Sequence, residues 1–80
     1  MTKEKILEQI TPIITDYLRL DKGELTPESH IVNDLGADSL ALVELGFKFS
    51  EAFNIGMINP DEDSMIIKNL VDILHSEIHK

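Results

Sequence analysis

Apolar positions recur at helical spacing in three blocks of this chain. Ile6, Leu7, Ile10, Ile13, Ile14, Tyr17 and Leu18 follow the i, i+3, i+4, i+7 order that gathers them on one helix face, predicting a first helix from Lys3 to about Arg19 with Thr2 as its cap. Pro12 falls inside this helix, where its missing N–H and its ring cost about 3 kcal/mol in an exposed interior. Because the stripe stays in phase across it, a kink near Thr11 is expected in preference to two abutting segments. Leu42, Leu45, Phe49 and Phe53 form a second stripe, widened by Val43, which predicts a helix from Ser39 to about Phe53. Gly46 in its middle costs about 1 kcal/mol relative to Ala, which marks close packing or a need for space beside the helix. Ile67, Leu70, Val71, Leu74 and Ile78 predict a final helix starting near Ile67.

The pattern breaks between these blocks. From Leu20 to Ala37 a long connection carries the stop signals Gly23, Thr26-Pro27 and Gly36, and four apolar residues, Leu25, Ile31, Val32 and Leu35, are expected to pin it to the core. Asn54 to Ile58 reads as a loop covering the open end of the helices. Asn59-Pro60-Asp61-Glu62 reads as a cap, a Pro at the first helical position and acids that complement the dipole, so a single short turn is predicted to about Met65. No internal repeat or low-complexity linker is present.

Composition narrows the class. Eighty residues make one domain, 1–80, whose small core buries only about three fifths of the unfolded surface. With 42% hydrophobic residues, four Gly and three Pro, the chain reads as folded, and its few aromatics leave Leu, Ile and Val to fill the interior. Fifteen acidic residues against seven basic ones give a net charge of -8, which repels nucleic acid and anionic lipid and favours partners with basic patches. With no cysteine there is neither a disulfide nor a thiolate metal site. Met1 to Ile10 alternates charged and apolar residues without a signal-peptide core, and no apolar run reaches the roughly 18 residues of a membrane span, so a cytoplasmic monomer is expected.

The candidate chemistry lies in Leu35-Gly36-Ala37-Asp38-Ser39-Leu40, which places one serine in the first turn of the second helix. Unpaired N–H groups and the positive end of the dipole converge there, so an anionic group attached to Ser39 is electrostatically favoured. Asp38 and Ser39 also fit an ordinary capping pair. The six-residue string, followed by Val43-Glu44-Leu45 and closing at Phe53, resembles the acyl carrier proteins, whose Asp-Ser-Leu serine carries 4'-phosphopantetheine. The resemblance covers most of the chain: an amphipathic helix before the motif, a long loop into it, and a Pro-Asp-Glu turn followed by a last helix.

That resemblance implies an all-α fold, a small antiparallel four-helix bundle of three main helices and a short third. It implies a carrier, not an enzyme: acyl groups ride as thioesters on the arm at Ser39 and are presented to acyl-transferring and synthase enzymes of fatty acid, related lipid or polyketide synthesis. A phosphopantetheinyl transferase would install the arm from coenzyme A, with Mg2+ needed only in that reaction. Asp38 would be read by the transferase or would serve as a cap. Partner docking falls to Asp38, Leu40, Glu44, Phe47 and Glu51, and space beside Gly46 could receive an acyl chain. The chain departs from the family where Lys48, Ser50 and Ala52 surround Glu51 in place of a denser acidic face, in a longer loop before Pro60, in a shorter third helix, and where Ile66 stands in for a Thr cap, which points to a specialised carrier. An aminoacyl or peptidyl carrier would use the same anchor. A reading of another class is an unmodified acidic helical domain that binds a basic partner through the second helix. A serine hydrolase is disfavoured because Ser39 lacks the Gly-x-Ser-x-Gly elbow, and His30, His75 and His79 are expected on the surface. Asp61-Glu62-Asp63 lacks the spacing of a calcium loop, so no metal site is expected.

Overall fold

In a computed structural model, residues 1–56 and 65–79 are described. Among these residues lie three α-helices, α1 (Lys3–Leu18), α2 (Ser39–Phe53) and α3 (Ile67–Ile78), and a 3-10 turn at Lys22–Glu24. Among the described residues there is no strand, only an isolated antiparallel bridge between His30 and Ile66. The three helices expected from periodicity form, and they pack as the all-helical bundle that the resemblance implies. The short helix expected from Pro60 lies outside the described residues, apart from its end at Met65.

Local chemistry sets the ends of α1. Thr2 Oγ1 accepts from the Lys5 N–H at 3.2 Å, and Arg19 closes the helix in the left-handed region at φ 58° while Leu20 N–H donates to Thr15 O. The helix continues through Pro12 as one element. The carbonyl deprived of its donor belongs to Glu8, an exposed residue, so water can satisfy it. Ile6, Ile10 and Ile14 are wholly buried, each worth about 1.5–3 kcal/mol of transfer free energy. They form the spine against which both α2 and α3 pack.

The connection is pinned as expected: Ile31 and Leu35 are buried, and Leu25 and Val32 pack half-buried against the same core. Backbone bonds then join it to α3. Ile31 N–H donates to Met65 O at 2.7 Å, Ile67 N–H to Ser29 O at 3.0 Å and Lys68 N–H to Pro27 O at 2.8 Å. Ile66, at the cap position of α3, contributes no side-chain bond, and the loop carbonyls supply the acceptors a Thr would have provided only in part.

On α2 the inner face is Ala41, Leu45, Gly46 and Phe49, with Leu42 and Phe53 half-buried. Val43 corrects the sequence reading. It is 45% exposed and does not widen the buried stripe, which runs through Ala41, Leu45, Gly46 and Phe49. Ile55 packs against the core as expected of the loop after α2, whereas Met57 and Ile58 lie outside the described residues.

Candidate functional site at the start of α2

The approach to Ser39 is built from a closed turn. His30 N–H donates to Asp34 Oδ2 at 2.6 Å, His30 Nδ1 accepts from the N–H groups of Val32 and Asn33 at 3.2 and 3.0 Å, and His30 O accepts from Asp34 and Leu35. The imidazole therefore works as a cap with its Nδ1 unprotonated. His30 is half-buried and structural, where the sequence suggested a surface residue. Periodicity gives no signal for such a role, although the four-residue spacing to Asp34 is a weak one.

Gly36 follows at φ +81°, a backbone region that disfavours any side chain, and Gly36 and Ala37 donate to Val32 O and Ile31 O. Ala37 is buried, so the chain is anchored to the core two residues before Ser39. Asp38 then takes the extended cap conformation and its Oδ1 accepts from Ala41 N–H at 2.8 Å. That bond uses the third N–H of the helix. The N–H groups of Ser39 and Leu40 have no acceptor among the described residues, and no hydrogen bond engages the Ser39 hydroxyl, which is exposed.

A 4'-phosphopantetheine fits this position. Its phosphodiester needs an accessible hydroxyl, uncommitted donors and a favourable field, and α2 supplies all three with no acid in its first turn. The arrangement sets an exposed hydroxyl beside the positive end of the helix.

Outward from Ser39, α2 presents Leu40, Val43 and Phe47, which are 67%, 45% and 50% exposed, at the spacing of one stripe. Glu44 and Glu51 are exposed on the same side. Val43 belongs with this outer stripe, a placement that its steps of three from Leu40 and four to Phe47 already allowed. Further along, Glu51 shares an open groove with Tyr17, Arg19 and Lys48, and the Lys48 ammonium lies 5.7 Å from the Tyr17 ring centre. This end of α2 is mixed in charge, unlike the end near Ser39.

Residues 8–62 match the family model described as the phosphopantetheine attachment site. An acyl carrier protein of Guillardia theta is 40% identical over 81 residues, 98% of each chain. An acyl carrier protein of Syntrophobacter fumaroxidans is 46% identical over 65 residues, 81% of this chain and 78% of that one. Among the described residues no helix is long and apolar enough to cross a membrane.

Proposed function

This chain belongs to the acyl carrier protein family, and from that premise we propose that Ser39 is the residue that bears its 4'-phosphopantetheine. When bound, the group supplies a terminal thiol that holds acyl cargo as thioesters on a flexible arm. One observation carries the assignment: among the described residues the exposed Ser39 hydroxyl is engaged by no hydrogen bond, and the two N–H groups beside it have no acceptor. Asp38 orients the first turn by taking the Ala41 N–H, and its exposed carboxylate is the feature a transferase would read.

Leu40, Val43 and Phe47 form the apolar centre of the proposed partner surface, with Glu44 and Glu51 as acidic guides for basic enzymes. Lys48 and Arg19 interrupt that acidity near Glu51, which supports a specialised set of acyl-transferring and synthase partners. A cytoplasmic, monomeric carrier is part of this reading.

Incubation with a phosphopantetheinyl transferase, coenzyme A and Mg2+, followed by intact mass measurement, tests the assignment. One added group on the wild-type chain and none on Ser39→Ala is the expected result. Modification that persists in Ser39→Ala would displace the assignment to another residue. Loading assays with acyl and aminoacyl donors then separate an acyl carrier from an aminoacyl carrier.

A further inference from the structure

The start of α1 and the end of α3 meet in a cluster that the carrier chemistry leaves unused. Lys3 Nζ lies 2.9 Å from Asp72 Oδ1, and His79 Nε2 lies 2.7 Å from the Met1 carbonyl oxygen and 3.2 Å from the Met1 ammonium. Those two contacts compete for one nitrogen, which donates to the carbonyl when protonated and accepts from the ammonium when bare. One turn before it stands His75, and the two imidazole centres are 4.3 Å apart with their planes tilted by 37°. His79 N–H still donates to His75 O at 3.1 Å, so the pair keeps the pitch of a helix although α3 ends at Ile78.

We propose that His75 and His79 form a two-imidazole binding site for a divalent late first-row transition metal such as Ni2+, Zn2+ or Cu2+. Histidines four apart on a helix face project along one line, the arrangement that lets both rings reach one ion. Two imidazoles bound at metal–nitrogen distances of about 2.0–2.1 Å place their centres roughly 4.5–5 Å apart, so the observed separation needs only a small opening of the pair. The Met1 carbonyl oxygen, already beside His79 Nε2, is placed to become a third donor once the ring proton moves to Nδ1. Nitrogen donors exclude Ca2+ and Mg2+ as the natural occupants.

Among the described residues no third His, Cys, Asp or Glu completes the set. Water must fill the remaining positions, so the site is a reversible one of moderate affinity. Occupancy would tie the end of α3 to the start of α1, where the exposed Lys3–Asp72 pair is otherwise a weak fastening. The inference does not depend on Ser39.

Titration of the tag-free full chain with Ni2+, followed through the histidine ring resonances, provides the test. His30 is the internal reference, because its Nδ1 is occupied by two backbone N–H groups. One equivalent should broaden His75 and His79 together at concentrations that leave His30 sharp. Zn2+ calorimetry should show binding weakened about tenfold or more by His75→Ala and by His79→Ala, each of which removes one of two ligands. Equal broadening of all three rings, a loss confined to one of the variants, or unchanged binding in the double variant would each overturn the site.

Discussion

The N-termini of α2 and α3 face the same shortage of backbone acceptors and resolve it differently. At α3 the connection delivers the Ser29 and Pro27 carbonyls to the N–H groups of Ile67 and Lys68, and Ile67 is wholly buried. At α2 a side chain, Asp38, takes a single N–H, and those of Ser39 and Leu40 have no acceptor among the described residues. The first end is closed by the fold and serves packing. The second is left open, and its field acts on an exposed hydroxyl. What separates a sealed helix end from an open one is therefore how many donors the protein itself consumes.

Substitutions at the two ends should break this contrast in opposite ways. Ser39→Ala is expected to abolish prosthetic-group attachment in the mass assay while shifting urea stability by no more than about 0.5 kcal/mol, since the side chain is exposed and makes no bond. Ile67→Ala should do the reverse. Loss of a wholly buried Ile costs about 2–5 kcal/mol, a large share of the stability of so small a domain, and it should appear as a large fall in the urea midpoint while the folded fraction is still modified.

Smaller effects sharpen the comparison. His30→Ala removes the acceptor of two N–H bonds in the turn that leads to Ser39, and a loss of about 1–2 kcal/mol in urea unfolding is expected, whereas His30→Asn, which retains an acceptor, should lose less. Asp38→Ala should cost about 1 kcal/mol as a lost cap, and Asp38→Asn only a few tenths. If attachment rates fall equally in both Asp38 variants, the charge is read by the transferase; if Asn restores the rate, the cap alone matters. Phe47→Ser should leave stability within about 0.5 kcal/mol of wild type, because the ring is half exposed, yet lower the affinity for synthase partners in direct binding measurements.

Most of the helical framework was legible from local signals. Thr2, Asp38 and the three apolar periods located α1, α2 and the start of α3, because caps and the 3.6-residue repeat act within a few residues of where they are written. The same locality placed Ser39 at the first residue of α2. It did not reveal His30 as a turn cap, the burial of Ala37 and Ala41, or the outward turn of Val43, since these depend on what packs alongside.

By itself the sequence determined where α1, α2 and α3 begin and where α1 and α2 end, which face of α1 is buried, and that the serine of a six-residue motif opens the second helix, all consequences of backbone periodicity and capping. The tertiary structure decided which helix end is sealed and which stays open, and it brought His75 and His79 to the start of α1. Those outcomes depend on hydrogen bonds and contacts between residues distant in the chain, whose meeting is set by how α1, α2, α3 and the connection pack together.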